Sequence, residues 1–377
     1  MTKDKKITMN TLSEQHSTTI RVSFLILLSG TILFLMVYGR SIFIPVAIAF
    51  FIWFLINGIA HSIQGISVGG RQLPSRLSMF FTIFIMAFLM IQLVGLVVNT
   101  AMDLVAEGEV YQANIAKLLV NIPPVIRNLV PGLGQEELSA SADQLFLRVF
   151  ENFSSYISTL VANFIFILGQ IVIMFIYVIF LLLEQSTFVT KIRNIFPDTK
   201  QRDNVNSVLN SVKTQTQRYI SMKTAVSLIT AVPSYLVMVF FEVDYAVVWA
   251  VLIFLLNFIP YIGSLIAVMF PILLCLLQTG DWSLGLMLLL SLTAIQCLVG
   301  YIIEPMIMGR SLGISPVAVL VSLSLFGTIW AIPGMFLSVP IVIILMIVLS
   351  HFESTKFISI LLSEDGQLYN EDLIVEV

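Results

Sequence analysis

The residues of this sequence that could do chemistry are a few polar side chains that lie within, or at the ends of, long apolar stretches. Asn257, Glu304, Arg310 and Lys223 are the leading cases. An unpaired charge or amide in an apolar environment costs on the order of several kcal/mol, so each is expected to have a partner or a task. Their types predict solute binding and charge pairing rather than the making and breaking of covalent bonds.

Proline and glycine interrupt two of the apolar stretches, at 257–264 and at 332–335. Proline removes a backbone donor and leaves a carbonyl free, and that carbonyl can bind a polar group where protein or a water-filled cavity surrounds it. Two alternatives remain: Asn257 could simply cap the end of a helix, and the interruptions could be kinks or surface loops. The candidate solute-binding residues are Asn257, Pro260, Gly263, Ser264, Pro333 and Gly334.

Three charged residues are candidates for coupling or gating. Glu304 and Arg310 are six residues apart around Pro305 and Gly309, so they could form an ion pair, or one of them could exchange a proton or a cation. Lys223 opens an apolar block, where a lysine commonly extends its ammonium group to the membrane interface.

Catalytic and metal-binding patterns are not found at a convincing spacing. His16, His61 and His351 lie in tails or at the ends of apolar blocks, so they suggest no shared site. Cys275 and Cys297 lie inside apolar blocks, where cysteine usually packs as a small hydrophobic residue. We expect neither an enzyme nor a bound metal or cofactor.

Composition indicates the solvent for which the chain is built. Hydrophobic residues make up 58% of the 377 positions and charged residues only 11%, against about 25% in an ordinary soluble domain. Such a chain has too little polar surface to cover itself in water, so lipid is its expected surroundings. The net charge of −3 provides no basic surface for nucleic acid.

The apolar blocks predict the fold. A membrane-spanning helix needs about 20 apolar residues, and two blocks, 245–278 and 316–350, would each reach about 51 Å as one straight helix, so they must break, tilt or turn back. The predicted fold is all-α, a polytopic integral membrane protein with about eight membrane segments, two of them broken or re-entrant. The blocks that fit a single crossing are 22–38, 41–60, 77–98, 157–183, 221–241 and 283–303.

Lysine and arginine placement predicts orientation, because cytoplasmic segments are enriched in both. The link at 304–315 lies outside if both long blocks cross the membrane and inside if both are hairpins, and the C-terminal tail is cytoplasmic either way. The predicted regions are a cytoplasmic tail (1–20), three membrane helices (21–98), an external amphipathic helical region (99–156), a fourth membrane helix (157–183), a cytoplasmic basic helical region (184–220), a membrane region (221–350) with breaks near 257–264 and 332–335, and a cytoplasmic tail (351–377).

Three runs in register, 257–264, 304–316 and 333–340, resemble the signature stretches of the autoinducer-2 exporter (AI-2E) family of bacterial permeases. The order of apolar blocks matches that family along nearly the whole chain, and Val248-Trp249 is shared with its signal-exporting branch. The resemblance implies a bacterial inner-membrane protein with about eight membrane segments that exports the small polar signal autoinducer-2. It further implies a homopentamer in which a mobile part of each protomer carries the solute.

Two other functions stay open at this point. Some members of that family are credited with sodium–proton antiport, and a monovalent cation/proton antiporter would depend on Glu304 or Asp281. A non-transporting membrane scaffold would instead use the external region to dock a partner.

Overall fold

A computed structural model describes the fold for residues 27–64, 67–68, 71–72, 75–121, 162–308 and 313–366, together with positions 148, 151–152, 155 and 158–159. Arg310, both ends of the chain and most of 122–161 lie outside the described residues. Within them, the secondary structure is helical apart from one two-residue hairpin and an isolated bridge between Ile314 and Ser363. The all-α prediction is confirmed.

Seven of the described helices are long and apolar enough to cross a membrane, and α1 and α7 are shorter apolar helices. The protein is therefore a polytopic membrane protein. The elements are α1 (Leu27–Tyr38), α2 (Arg40–Gln64), β1 (Ser67–Val68), β2 (Arg71–Gln72), α3 (Ser75–Ala106), α4 (Gly108–Val120), α5 (Phe164–Ile195), α6 (Thr199–Phe240), α7 (Ala246–Leu256), α8 (Ile262–Thr279), α9 (Trp282–Leu298), a π-helical segment (Val299–Ile303), α10 (Glu304–Met308), α11 (Pro316–Ser350) and α12 (Lys356–Leu362).

The outward faces of these helices are apolar. Along α3, Phe80, Phe84 and Phe88 are each more than half exposed. A protein in water would not leave such a row of large rings uncovered, whereas lipid tails solvate it without penalty. The exposed rings therefore fit a helix that faces the bilayer.

The first long block folds back on itself at the turn between α7 and α8. The backbone N–H of Asp244, just before α7, donates to the side-chain Oε1 of Gln278, near the end of α8, at 3.1 Å. A straight helix would separate these two residues by about 51 Å. The two helices therefore form a hairpin whose base lies at 244 and 278 and whose tip lies at 257–261.

The second long block also folds back, within α11. Ser359 Oγ in α12 donates to the carbonyl of Met346, at 3.0 Å, and the Ser315 N–H donates to the carbonyl of Leu362, at 2.9 Å. Both ends of α11 thus contact the same seven-residue helix, although about 46 Å would separate 315 from 346 in a straight helix. The reversal occurs at Ala331, where φ is 52°.

The hydrophobic core has two parts, and α6 belongs to both. One buried cluster joins α2, α5 and α11 with Tyr219 and Ile220 from the first half of α6. The other joins α4, α7, α8 and α9 with Ala231 and Met238 from its second half. The 42 residues of α6 extend about 63 Å, so this helix spans the molecule and connects the two parts.

Candidate functional site

One face of α6 is polar although it is buried. Polar side chains recur every three or four residues, and this spacing places them on the same side of a helix. Buried hydroxyls and amides in such surroundings need hydrogen-bond partners. Among the described helices, α6 has the most buried polar side chains, so this face is the most polar part of the described interior. The buried polar residues of α6 are Ser211, Gln215, Thr216, Tyr219, Lys223, Ser227, Thr230 and Ser234.

Asn257 connects the tip of the first hairpin to this polar face. Its side-chain Nδ2 donates to Ser227 Oγ at 3.1 Å. Asn257 is 8% exposed and Ser227 is fully buried. Asn257 is also the C-terminal cap of α7, and its N–H donates to the carbonyl of Ile253 at 3.0 Å. The residue therefore ends the helix, as the capping alternative expects, and solute binding by its amide stays a prediction.

Lys223, one turn before Ser227, forms an ion pair with Glu304 of α10. The side chain of Lys223 is 7% exposed and that of Glu304 is 28% exposed. Four residues along a helix correspond to about 6 Å. Adjacent turns of α6 therefore bring together Asn257 from the first hairpin and Glu304 from the segment after α9.

A π-helical segment precedes Glu304. The Glu304 N–H donates to the carbonyl of Val299, five residues earlier, and the segment Val299–Ile303 has π geometry. Such a segment inserts an extra residue per turn and changes the direction of the side chains that follow it. The local change of winding explains how Glu304 comes to face α6, against which α10 packs.

The tips of the two hairpins meet, and their contact is aromatic. The ring centroids of Phe258 in the first tip and Phe336 in the second are 4.8 Å apart. Phe51 of α2 contacts both rings, at 5.6 Å and 4.8 Å. The structure therefore places apolar rings, rather than polar groups, where the tips touch.

The remaining candidate binding residues shape the tips. The carbonyl of Pro260 accepts the Ile262 N–H at 2.6 Å and closes a tight turn around Tyr261. Ser264 Oγ donates to the Tyr261 carbonyl at 3.1 Å, and Ser264 lines an apolar groove of about 380 Å³ between α8 and α9. The Ser264 hydroxyl therefore bonds within the tip, whereas Asn257 bonds to the polar face of α6.

The two glycines at the tips allow the backbone to come close to itself. A Cβ atom at Gly263 would overlap the carbonyl oxygen of Leu256, and one at Gly334 would overlap that of Phe326. Pro333 is half-buried and directly precedes the second of these glycines. These positions provide the turn geometry on which the polar groups depend.

The expectation for Lys223 had a different outcome. Lys223 does not extend to an interface, since it is buried and paired with Glu304. Arg310 lies outside the described residues, so a contact between Glu304 and Arg310 stays a prediction.

A second polar region lies at the base of the first hairpin, where α4 docks. Asn114 Nδ2 donates to the carbonyls of Leu277 and Gln278, at 2.9 and 2.7 Å, and Trp282 Nε1 donates to the carbonyl of Leu118, at 2.9 Å. The Asn114 bonds satisfy carbonyls that the end of α8 leaves without helical partners, and the Trp282 bond does the same at the end of α4. They attach α4 firmly to the hairpin.

Acidic and phenolic groups lie side by side next to this docking contact. Tyr111 donates its hydroxyl to Glu107 at 2.5 Å, and Tyr245 donates to the other oxygen of that carboxylate at 3.3 Å. Burial and the nearby Glu107 raise the pKa of Tyr111 above its usual range and that of Tyr245 to about 12. The same two causes raise the pKa of Asp244. In the part of the chain that the structure describes, no group of three or more His, Cys, Asp or Glu side chains could hold a metal ion.

Sequence reasoning missed most of the polar face of α6. From the sequence, Tyr219 is expected in a cytoplasmic basic helical region, 184–220, and Ser227 and Thr230 are expected in a block that fits a single membrane crossing. The signal that could have found them is the recurrence of polar residues at helical spacing from 211 to 234, which continues without a break into the apolar block.

Most of the chain is similar in sequence to known transport proteins. The sequence profile of the AI-2E family transporters matches residues 22–354. A candidate transport protein of Haemophilus influenzae (strain Rd) is 27% identical over 333 residues, covering 86% of this chain and 91% of that protein. The AI-2 transport protein TqsA of Escherichia coli K12 is 27% identical over 330 residues, covering 87% and 91%.

Proposed function

This chain belongs to the AI-2E transporter family, and from that premise we propose that it exports a small polar organic solute across the bacterial inner membrane. The family consists of transporters, not enzymes. We propose autoinducer-2 as the solute, which would give the protein a part in quorum sensing; the similarity to TqsA supports this choice. The observation that carries the proposal is the Asn257–Ser227 hydrogen bond beside the buried Lys223–Glu304 pair.

The groups on the polar face of α6 suit a hydroxyl-rich solute. Asn257 offers both an amide donor and a carbonyl acceptor, and Ser227 and Thr230 offer hydroxyls that donate and accept. A site with a few directed polar groups inside an apolar shell is the usual form of a small-molecule site. Binding would displace the Asn257–Ser227 contact and open the first tip.

The two hairpins would act as alternating gates. In this proposal α4 lies outside the membrane and docks at the base of the first hairpin, so the first hairpin enters the membrane from outside. The second hairpin then enters the membrane from the cytoplasm, and the 304–315 link is on the cytoplasmic side. The two broken segments meet at Phe258 and Phe336, and broken segments that meet near the membrane midplane are typical of solute sites in transporters. Cytoplasmic termini are a further element of the proposal and rest on the placement of lysine and arginine. A homopentamer and an elevator-like movement of one part rest on the resemblance to the family.

Proteoliposomes that contain the purified protein test the proposal. Labelled autoinducer-2 flux and sodium-driven pH change are measured in the same vesicles. Signal flux without a sodium response supports an exporter, whereas vesicles that carry no signal contradict it. Asn257→Leu should abolish the flux while assembly, followed by gel filtration, stays unchanged.

A monovalent cation/proton antiporter is the second candidate, because Glu304 is a carboxylate within the polar site. It predicts a sodium-driven pH change that Glu304→Gln removes. Asp281 offers less support for this function: it is exposed at the start of α9, where its carboxylate accepts the Ser283 N–H at 2.8 Å, and this bond lowers its pKa.

A non-transporting scaffold remains the third candidate, since α4 could present a docking surface outside the membrane. It predicts normal function after the tips are filled, for example in an Asn257→Leu, Pro333→Leu double variant. Loss of function in a variant that still assembles would contradict it.

A further inference from the structure

We propose that Lys223 binds an anionic group of the transported solute, and that Glu304 is the resting counter-ion of Lys223, which the solute replaces. The solute class is then a small organic anion, or a polyol that carries an oxyanion ester. The inference rests on the proposed transport function and adds the charge of the solute and the residue that recognises it.

The first argument is the permanent need of Lys223 for a counter-ion. A buried ammonium group without a partner costs on the order of several kcal/mol in an apolar bundle. Lys223 is 6% exposed in the middle of a long helix that packs in both core clusters. If Glu304 leaves, another anion must take its place.

The second argument is the asymmetry between the two partners. The Glu304 side chain is 28% exposed, four times the 7% of Lys223, so the carboxylate can return to a hydrated position with little penalty. Glu304 lies near the end of a continuous helical span, Trp282–Met308, directly after the π segment. The π segment before it can change its winding more easily than a regular helix. Glu304 is thus the partner able to withdraw, and Lys223 is the fixed one.

The third argument is the donors around the ammonium group. Tyr219 lies one turn before Lys223 on α6 and Ser227 one turn after it, both buried. Asn257 Nδ2 points at Ser227. Hydroxyl, amide and ammonium donors together, with Glu304 as the anion among them, form a site suited to a single oxyanion. The carboxylate of Glu304 occupies the position that the anionic group of the solute would take.

Borate allows the charge of one solute to be changed without changing its carbon skeleton, because vicinal hydroxyls esterify borate to give a monoanion. Labelled autoinducer-2 flux into proteoliposomes is measured with and without borate. We expect a KM at least tenfold lower for the anionic form in the wild type. Lys223→Met should abolish that preference, and Lys223→Arg, which retains the charge, should keep it.

Matched controls separate binding from a structural ion pair. Lys213 is an exposed lysine on the same helix, so Lys213→Met should keep the preference for the anion. Glu304→Gln removes the competing carboxylate, and the apparent affinity for the anionic form should rise about tenfold. Glu184, which pairs with Lys191 on the surface of α5, provides the control Glu184→Gln, for which we expect no change. A preference for the anion that survives in Lys223→Met, or a weaker affinity in Glu304→Gln, would overturn the proposal.

A binding measurement distinguishes failure of this inference from failure of the transport function. The melting temperature of the purified protein is recorded with autoinducer-2 in borate and in borate-free buffer. Stabilisation by the borate ester in the wild type and not in Lys223→Met supports the anion site even if the vesicles show no flux. A wild type that the ester does not stabilise contradicts the anion site, whatever the flux.

Discussion

The tip of the α7–α8 hairpin and the tip of the folded α11 turn with the same backbone device. Each has a non-glycine residue at positive φ, 61° at Tyr261 and 52° at Ala331, followed two or three residues later by a glycine that lies against a carbonyl. At Tyr261 the turn is a γ-turn, closed by the Ile262 N–H, and its positive φ makes it a rare and strained type. The ψ angles differ, −56° at Tyr261 and −136° at Ala331, but the positive φ and the close glycine at both tips indicate that each needs a sharp reversal.

The two tips differ in the polarity of what they hold. The first tip bears Asn257, which bonds to Ser227 inside the bundle. At the second tip, Trp330 Nε1 donates to the carbonyl of Met36 in α1, at 3.0 Å, and Phe336 joins the aromatic cluster. One tip therefore provides a polar group to the interior, and the other provides an apolar wall fixed to the first helices. A sharp reversal at positive φ can thus present either a polar or an apolar side chain to the interior.

The largest expected effect concerns the glycine at each tip. It tests whether both tips need the close approach of backbone to backbone equally. Gly263→Ala and Gly334→Ala each place a Cβ atom onto a carbonyl oxygen, and such overlap costs about 3 kcal/mol or more where backbone must move. We expect both variants to lose most of their folded yield, measured by fluorescence-detected gel filtration in detergent. Gly95→Ala and Gly169→Ala, where nothing lies within 4 Å, are the controls and should behave as wild type. Normal yield for either tip variant would show that its tip tolerates a wider turn.

The next effect separates the two tips by chemistry. Asn257→Leu should lower autoinducer-2 flux at least tenfold, which corresponds to about 1.4 kcal/mol. Trp330→Phe also removes one tip hydrogen bond, worth about 1 kcal/mol of stability, but flux should stay within twofold of the wild type. Flux in proteoliposomes at equal protein density measures both. Equal losses of flux would mean that the second tip also contacts the solute.

A smaller effect concerns the bases of the hairpins. Gln278 closes the first base by accepting from the Asp244 N–H and donating to the Glu242 carbonyl, while Ser359 ties α12 to the second hairpin. Gln278→Leu and Ser359→Ala should each cost about 1 kcal/mol, visible in thermal unfolding. Hydrogen exchange should rise locally, at 257–263 for the first variant and at 326–334 for the second. Increased exchange at both tips in either variant would show that the hairpins open as one unit.

The smallest effect is a pH dependence at the first base. The pKa of Asp244 is raised by burial and by Glu107, so its ionised form destabilises the native state above the ordinary value of about 3.9, fully so once the pH exceeds the raised value. Asp244→Asn should therefore melt slightly above the wild type at pH 7, and the difference should vanish as the pH falls towards 4.

Asp281 is the control of opposite sign, because the hydrogen bond from Ser283 lowers its pKa. Its ionised form stabilises the native state at pH 7, and this contribution is lost as the pH falls through the lowered value. Asp281→Asn should therefore melt slightly below the wild type at pH 7. Shifts of the same sign in both variants would contradict the assignment of the raised pKa to Asp244.

The positions of both reversals could be predicted from the sequence, because proline and glycine mark them directly. Their direction could not, since a break of this kind suits a kinked crossing as well as a hairpin. The choice depends on hydrogen bonds such as those of Gln278 and Ser359, whose partners lie far away in the chain.

The site was only partly predictable for a related reason. Asn257, Lys223 and Glu304 could each be singled out as a polar residue in an apolar block. Lys223 and Glu304 are 81 residues apart, and no local pattern joins them. Their pairing requires both the unbroken helix α6, which continues across the expected boundary at 220, and the π segment that reorients Glu304.

The polar face of α6 has a consequence for how such proteins diverge. The tips depend on glycine and on main-chain contacts, so selection for folding leaves them little freedom. Lys223, Ser227 and Thr230 belong to a separate, continuous helix, whose backbone tolerates many side chains. Under the proposed function, changes of cargo can therefore accumulate along one helix while the architecture is inherited intact, and paralogues with the same hairpins can differ in what they carry.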